Sequence, residues 1–352
     1  MVMEPITLQD IEHWLRETDE KALEMLWARA DEVRQAAVGH EVHLRGLIEI
    51  SNYCVRRCAY CGLAAGNRTI ERYRMTREEI LECALKAVRL GYGTVVMQGG
   101  EDYGIEADWL ADIIVEIKKQ TPLAVTLSLG ERPDEELKLW KRAGADRYLL
   151  RFETSDPHLY ELIHPSLPGK KSDRFEILRR LQQLGYEAGS GVMIGIPGQT
   201  YATLARDIHI FSSMDLDMIG VGPFIPSPNT PLGRGEIQFD IDPSEQVPNT
   251  EMMTYKTVAL TRLVRPDANI PSTTALATIN KESGREFGLM RGANVVMPNL
   301  TPVQYREKYE IYPGKACINE TAEQCSGCLR GRIASIGRTV GTGQGGRVKR
   351  PT

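Results

Sequence analysis

The chain has 352 residues, 42% hydrophobic and 26% charged, which is the composition of a globular protein large enough for an α/β domain. Its 43 basic and 47 acidic residues give a formal net charge of −4 and no broad basic field, which argues against nucleic acid as a partner. No apolar run reaches the roughly 18–20 residues of a membrane span, and the N-terminus does not resemble a secretory signal. We therefore expect a cytoplasmic protein that does not bind a membrane.

Hydrophobic residues recur at three- and four-residue steps near the N-terminus, which predicts a helical extension over residues 1–40. Short apolar runs then alternate with helical patterns. The predicted strands cover residues 44–50, 94–97, 123–127, 148–150, 191–194, 218–221, 269–270 and 294–297. The predicted helices cover residues 76–91, 107–120, 134–143, 174–185, 201–213, 250–264 and 283–290.

Strands that alternate with helices form parallel sheets, and eight such units predict a closed (βα)8 TIM barrel over residues 41–300. Residues 223–248 carry six prolines and no periodicity. This segment is either a loop that covers the substrate or a flexible surface excursion. Residues 301–352 are predicted to form a loop-rich C-terminal tail that covers the barrel.

A first group of cysteines directly follows the first predicted strand, at the end of a barrel where active sites lie. Cys54, Cys58 and Cys61 can hold a [4Fe–4S] cluster and leave one iron open, to which a small molecule such as S-adenosylmethionine can bind. The alternatives are a zinc site with a distant fourth ligand, which fits so compact a loop poorly, and buried free thiols. Tyr60, between the last two cysteines, either flanks an adenine ring or packs the loop.

Two further strand ends carry candidate cofactor ligands. Gly99, Gly100 and Glu101 follow the second predicted strand, where glycines let a backbone approach a ligand and a carboxylate can receive an amino group. Taken alone, they would also suit a plain turn with a surface acid. Glu153 ends the fourth predicted strand, and a buried acid there needs a partner such as a ribose hydroxyl or an amine.

Several polar side chains would point into the barrel, where they are costly unless satisfied. They are Thr126 and Ser128 on the third predicted strand, Arg147 on the fourth, and Thr273 and Thr274 after the seventh. Arg147 with three hydroxyls would form an anion site for a small substrate. The alternative is that the hydroxyls only satisfy local backbone groups.

A second group of cysteines lies in the predicted tail, at Cys317, Cys325 and Cys328. Such a group could hold a second iron–sulfur cluster, an adventitious metal or nothing. We expect a cluster or metal that is remote from catalysis. Cys83 lies on the apolar face of a predicted helix and is interpreted as a core thiol.

The first cysteine loop, with an aromatic residue before its last cysteine, resembles that of the radical S-adenosylmethionine (radical SAM) superfamily. Further phrases resemble the family of the [FeFe]-hydrogenase maturase HydE. They lie at residues 54–63, 72–76, 125–131, 145–151, 222–226, 293–299 and 312–317, so the resemblance spans most of residues 40–330.

The resemblance implies an enzyme whose cluster reductively cleaves S-adenosylmethionine to methionine and a 5′-deoxyadenosyl radical, which attacks a small substrate inside the barrel. It implies a role in assembling the di-iron subsite of the hydrogenase H-cluster, with a cysteine-bound iron carbonyl–cyanide species as substrate. It also implies a reductant such as ferredoxin or flavodoxin, and other hydrogenase maturases as partners.

The resemblance also assigns residues. Gln98, Ile196 and Arg174 would contact the cofactor, Arg174 by pairing the methionine carboxylate. The residues that match the wall of the family's substrate cavity, although each would also suit a packed core, are Met218, Met297, Tyr309 and Tyr312. Phe152 stands where the family usually has histidine, which would remove a polar group near the cofactor and raises the possibility of a shifted substrate.

Three alternatives remain open from the sequence. A methylornithine synthase-like enzyme would keep the barrel and act on an amino-acid-derived substrate. Biotin synthase fits less well, because it carries second-cluster ligands on barrel strands and this chain has no cysteine between 83 and 317. A non-catalytic iron–sulfur carrier or scaffold would have no use for the candidate cofactor residues around the first cysteine group.

Overall fold

The computed structural model describes residues 6–348. The strands in this range are β1 (Glu41–Ser51), β2 (Thr94–Gly99), β3 (Ala124–Ser128), β4 (Arg147–Leu149), β5 (Glu187–Ser190), β6 (Met193–Ile194), β7 (Met218–Ile219), β8 (Gly222–Pro223), β9 (Val295–Val296) and β10 (Thr339–Val340). The helices are α1 (Leu8–Arg16), α2 (Glu20–Val38), α3 (Arg77–Arg89), α4 (Ala107–Gln120), α5 (Asp134–Ala143), α6 (Pro157–Ile163), α7 (Arg174–Gln183), α8 (Tyr201–Ser213), α9 (Glu251–Val264), α10 (Thr274–Ile279), α11 (Gly284–Met290), α12 (Val303–Arg306) and α13 (Ala322–Ser335).

The parallel strands curl into a barrel. Strands β1 to β5 pair in order and β5 pairs with β7. The ring continues through single bridges between Met218 and Asn269 and between Pro271 and Val295, and β9 then pairs with β1. The predicted (βα)8 barrel is therefore confirmed, although its seventh position is bridged by single residues and β5 begins before the predicted strand. The apolar core lies between the strands and the surrounding helices, as Ile113 and Trp140 illustrate.

Two helices precede the barrel. Thr7 and Asp10 form a capping box that starts α1, and the buried Ile11 and Leu15 of α1 belong to the same apolar core as the barrel. Lys256 of α9 donates to the Leu15 carbonyl at 2.9 Å. Residues 1–5 of the predicted extension lie outside the described residues, and the predicted division into three segments stays a prediction. No helix within residues 6–348 is both long and apolar enough to cross a membrane.

The C-terminal segment departs from the loop-rich tail that the sequence predicted, because it contains α13 and β10. Strand β10 pairs with the start of β1, at the end of the barrel opposite the first cysteines. Residues 341–346, here called the base plug, then cross that end. The carbonyl of Gln344 accepts from Thr94 Oγ1 at 2.8 Å, and the carbonyl of Gly345 accepts from Arg45 Nη2 at 2.9 Å. The base plug lies so close to Gly93, the residue before β2, that a Cβ on Gly93 would lie 1.6 Å from the Gly343 carbonyl oxygen.

Candidate functional site

The first cysteine group lies on a loop that leaves the carboxyl end of β1. Its backbone is fastened to neighbouring segments, since Val55 N donates to the Glu101 carbonyl at 2.9 Å and Ala59 N donates to the Ile163 carbonyl at 2.8 Å. The guanidinium of Arg72 also holds the loop together. It donates to four backbone carbonyls, those of Asn52, Leu63, Ala64 and Asn67. The irregular loop therefore has a defined shape without regular secondary structure.

The buried thiols of the first cysteine group fit an iron–sulfur cluster. Burial, reinforced by the neighbouring thiols, raises the pKa of Cys61 to about 12 and that of Cys58 well above its usual range. Such thiols ionise when a bound cation offsets their charge. Three cysteine thiols on one short loop are the donor set that holds a [4Fe–4S] cluster with one iron left open, so the residues present fit such a cluster.

Gly100 allows the end of β2 to approach the cysteine loop. A Cβ at this position would lie 2.1 Å from the Tyr53 carbonyl oxygen and 2.8 Å from Cys54 Cβ. Glu101 follows and is buried. Its Oε1 accepts from Arg56 Nε at 2.9 Å, and its Oε2 accepts from Glu131 N at 3.0 Å. Protein groups thus hydrogen-bond both oxygens of this carboxylate, which links the cysteine loop to the ends of β2 and β3.

Glu153 has a strained backbone. Its φ of 62° is in the left-handed region, which a non-glycine residue adopts at a cost of about 1–3 kcal/mol. The side chain is buried, with Oε2 3.1 Å from Arg151 Nη2. Such strain persists only where the surroundings enforce it, and it clusters at functional sites.

The structure brings many predicted residues together around one cavity of about 160 Å³. Its lining includes Cys54, Cys58, Gly99, Glu101, Ser128, Glu153 and Arg174, together with Arg56, Arg151 and His164, which the sequence analysis did not single out. This cavity opens at the carboxyl ends of the barrel strands, where the (βα)8 fold places active sites. Its charged and thiol lining fits the predicted cluster and a zwitterionic cofactor.

A buried network joins Arg174 to the cysteine loop. Arg174 Nε donates to Glu131 Oε1 at 3.1 Å, and Arg174 Nη2 lies 2.9 Å from His164 Nε2. His164 Nδ1 in turn lies 2.9 Å from Cys58 Sγ. Burial lowers the pKa of His164 to about 4, so the imidazole is neutral at pH 7. Glu131 could have been found from its place after Gly130 at a strand end, but His164 follows a helix with no distinctive sequence signal.

Tyr60 and Ile196, both predicted cofactor residues, meet in a satellite apolar cluster. Tyr60 packs against the buried side chains Ala59, Leu159, Ile163, Met193, Ile196, Phe224 and Leu232. The last two belong to the proline-rich segment 223–248, and Leu232 N donates to the Ala59 carbonyl at 3.0 Å. This segment therefore covers the cysteine loop, which favours the first of its two predicted roles.

The predicted anion site is not assembled. Arg147 turns toward the base of the barrel, where its Nε donates to Glu187 Oε2 at 2.6 Å and its Nη1 to Thr94 Oγ1 at 2.9 Å. Thr273 caps α10, with Oγ1 accepting from Leu276 N. Thr126 is the register partner of Arg147 on β3, but the Arg147 guanidinium turns away from it to Glu187, which neutralises its charge. A substrate role for Arg147 therefore finds no support in its contacts.

A smaller cavity, about 40 Å³, lies inside the barrel. Thr126, Met218 and Met297 line it, together with Arg45, which the sequence analysis missed. Arg45 Nε and Thr126 Oγ1 are buried and have no hydrogen-bond partner within the described chain. These polar atoms make this cavity, here called the chamber, suitable for a small polar ligand.

The lining of the chamber does not include the predicted substrate residues Thr274, Tyr309 and Tyr312. Gln98 Nε2 donates to the buried Tyr309 hydroxyl at 3.1 Å. Burial raises the pKa of Tyr312 well above its usual range. Thr274 and Met297 line another small cavity, which also reaches Cys317 and Cys325.

Phe152 does not face the cofactor cavity. Its ring stacks on Phe175 of α7 with 4.8 Å between centroids and lies 5.7 Å from Phe211 of α8. The expectation that Phe152 changes polarity near the cofactor is therefore wrong, because the side chain packs in the aromatic core between strand and helices.

The second cysteine group lines a separate cavity of about 650 Å³. Cys317 has a φ of 63°, and its Sγ accepts from Arg285 Nη2 at 3.8 Å. The lining of this cavity carries four basic side chains, Lys281, Arg285, Lys315 and Arg332, and three acidic ones, Glu307, Glu310 and Glu320. The setting can stabilise thiolates, whereas the first group is enclosed between barrel strands and the covering loop.

Residues 48–210 match the model of the radical SAM superfamily. The chain is 48% identical over 326 residues to "[FeFe] hydrogenase maturase subunit HydE" of Thermotoga maritima, covering 93% of this chain and 89% of that protein. It is 29% identical over 289 residues to the 3-methylornithine synthase of Methanosarcina acetivorans, covering 82% and 77%. The crystal structure of methylornithine synthase (PylB) has the same fold, with a TM-score of 0.79, 24% identity and coverage of 96% and 95%. The chain therefore belongs to the radical SAM superfamily and, within it, to the HydE family of enzymes.

Proposed function

We propose that this enzyme is an [FeFe]-hydrogenase maturase, and that Cys54, Cys58 and Cys61 hold its [4Fe–4S] cluster. The single observation that carries the proposal is the 48% identity to HydE, which extends over 93% of the chain and includes the cysteine loop. When bound, the cluster and S-adenosylmethionine supply a 5′-deoxyadenosyl radical as the reactive species. The substrate is a small molecule inside the barrel, and we propose the cysteine-bound iron carbonyl–cyanide species that the family resemblance implies.

The residues of the chain bind and orient the cofactor. The backbone of Gly99 and Gly100 lets it approach the cysteine loop, with Gln98 beside them. Glu153 accepts from its amine or ribose hydroxyls, and Arg174 holds its carboxylate. Tyr60 and Ile196 supply an apolar surface for the adenine ring.

Enclosure is the second contribution of the chain. The covering segment 223–248 closes one side of the cysteine loop, and the base plug closes the opposite end of the barrel. A site shielded from water protects a radical from side reactions. Thr126, Met218 and Met297 line the chamber in which the substrate reacts, and Arg45 forms its floor.

The other candidate functions are less well supported. Methylornithine synthase shares the fold, but the sequence identity is 29% against 48% for HydE. A carrier must release its cluster, whereas Cys58 is 8% exposed and the strained Glu153 faces the same cavity. We further propose a cytoplasmic location, a ferredoxin or flavodoxin as reductant, and other hydrogenase maturases as partners.

The test is anaerobic reconstitution followed by incubation with S-adenosylmethionine and dithionite, with 5′-deoxyadenosine measured by chromatography. We expect product from the wild type and none from Cys58→Ala. Addition of the wild type to an extract that lacks its own HydE should then restore [FeFe]-hydrogenase activity. Formation of 3-methylornithine in place of that activity would overturn the maturase proposal, and a fully loaded but inert protein would favour a carrier.

We also propose that Cys317, Cys325 and Cys328 bind a second iron–sulfur cluster or metal, remote from catalysis. All three thiols line one cavity, and Arg285 donates to the Cys317 sulfur, which supports this assignment. Replacing all three with serine should lower the iron content and leave 5′-deoxyadenosine formation largely intact. An inactive triple variant that retains the first cluster would contradict a remote role.

A further inference from the structure

His164 makes a contact that neither the fold nor the assignments above explain. It caps the carboxyl end of α6 and its side chain is 1% exposed. Its Nδ1 lies 2.9 Å from Sγ of Cys58, one of the proposed cluster ligands. A buried imidazole edge against a metal-binding sulfur is a candidate hydrogen-bond donor, provided that its proton is on the correct nitrogen.

The neighbours of His164 determine which nitrogen carries that proton. Arg174 Nη2 lies 2.9 Å from His164 Nε2 and 3.5 Å from His164 Nδ1, so a guanidinium that can only donate faces both ring nitrogens. Glu131 Oε1 is 3.6 Å from Nε2, beyond hydrogen-bond distance, and already accepts from Ser172 Oγ and Arg174 Nε. A cysteine that ligates a cluster is a thiolate and can only accept, so the tautomer that suits a bound cluster has its proton on Nδ1, facing the sulfur of Cys58.

We propose that His164 donates an Nδ1–H hydrogen bond to the Cys58 sulfur and thereby raises the reduction potential of the cluster. Negative charge on the ligand sulfurs grows when a cluster gains an electron, and a fixed donor stabilises that charge. His164 acts through Cys58 and is a positioning residue. The proposal rests on the proposed function, because it requires a cluster at Cys54, Cys58 and Cys61.

The orientation of the ring is fixed before any electron arrives. Arg174 is held by Glu131 and by the Arg151 carbonyl, and the Tyr160 ring lies over the imidazole with 5.1 Å between centroids. The donor therefore needs no rearrangement when the cluster is reduced. A side chain that only filled space would need neither this network nor a particular tautomer.

The variant test compares His164→Leu with His164→Asn, because an asparagine amide can place a donor near the Nδ1 position. A potentiometric titration followed by electron paramagnetic resonance gives the midpoint potential of each reconstituted protein. At the wild-type midpoint we expect the ratio of reduced to oxidised cluster to fall about tenfold in His164→Leu, equivalent to ~59 mV for one electron. His164→Asn should recover most of this loss. His158→Leu, which replaces an exposed histidine on the same helix, should leave the midpoint unchanged.

A second measurement uses the wild-type protein and needs no variant to fold. Electron spin echo envelope modulation of the reduced cluster, in protein labelled with ¹⁵N-histidine, should show coupling to one imidazole nitrogen. Absence of this coupling, or a His164→Leu protein with full iron content and an unchanged midpoint, would overturn the proposal. Failure of the proposed function would look different, since Cys58→Ala would then carry as much iron as the wild type.

Discussion

Substituting Gly100 with alanine tests whether the end of β2 and the cysteine loop form one rigid unit. The added Cβ would lie 2.1 Å from the Tyr53 carbonyl oxygen and 2.8 Å from Cys54 Cβ. Both neighbours belong to the loop that carries the cluster ligands, and one of them is backbone, so no flexible side chain can yield. The loop must therefore retreat from β2 in the variant.

The size of the effect follows from that distance. Ordinary contact begins at 3.4 Å, so the 2.1 Å approach requires the backbone to move by more than 1 Å. Overpacking of this kind costs about 1–3 kcal/mol, equivalent to roughly a five- to 150-fold weaker equilibrium. Because Cys54 and the cofactor-facing backbone move together, we expect S-adenosylmethionine affinity to fall by that factor and the cluster to load incompletely.

The assay measures iron and sulfide content after anaerobic reconstitution, then S-adenosylmethionine binding by equilibrium dialysis. Gly66→Ala is the matched control, since it lies in the same loop and its Cβ would meet nothing within 4 Å. We expect Gly66→Ala to match the wild type in both measurements. If Gly100→Ala loads fully and binds the cofactor within twofold of the wild type, the close approach has no functional consequence and the reasoning is refuted.

Two further predictions concern stability. Deleting residues 341–352 removes the carbonyls that accept from Arg45 and Arg147, and a buried charged donor left unsatisfied costs about 1–3 kcal/mol. The melting temperature should fall by several degrees, and an unchanged value would show that the base plug is dispensable. Burial raises the pKa of Asp207 to about 7 from its ordinary 3.8, so between these values only the folded chain holds the proton. Stability should decline across that pH range by up to about 4 kcal/mol, and urea unfolding of Asp207→Asn should show a flatter dependence, whereas an identical profile would contradict the assignment.

Strand and helix periodicity was sufficient to predict the barrel. Helices such as α4 and α9 carry long apolar faces, and the strands before them are short apolar runs. The helical repeat and the buried strands are therefore both visible in the sequence. The helices α6 and α10 were missed because seven and six residues are too few to show a helical period. α13 was missed because its sequence is rich in cysteine, glycine and arginine, and β10 because a two-residue strand has no pattern of its own.

Site residues were predictable where the barrel topology itself fixes their position. Cys54, Gly99 and Glu153 follow the carboxyl ends of strands, and such ends meet at one mouth of the barrel. The structure accordingly places all three on one cavity. Arg147 was misplaced because a position on a strand does not indicate where a long side chain ends, and this guanidinium turns to Thr94 at the base of the barrel.

The contacts that tune the site depend on the tertiary structure alone. His164 reaches Cys58 from 106 residues away, and its ring is held by Arg174, which begins a different helix. Arg174 can direct the ring because Glu131, from a third segment, holds its Nε. Each of the three residues would read as an ordinary polar side chain in its own segment. Motifs identify the ligands of a cofactor, whereas the side chains that adjust its properties are found only when the fold brings separate segments into contact.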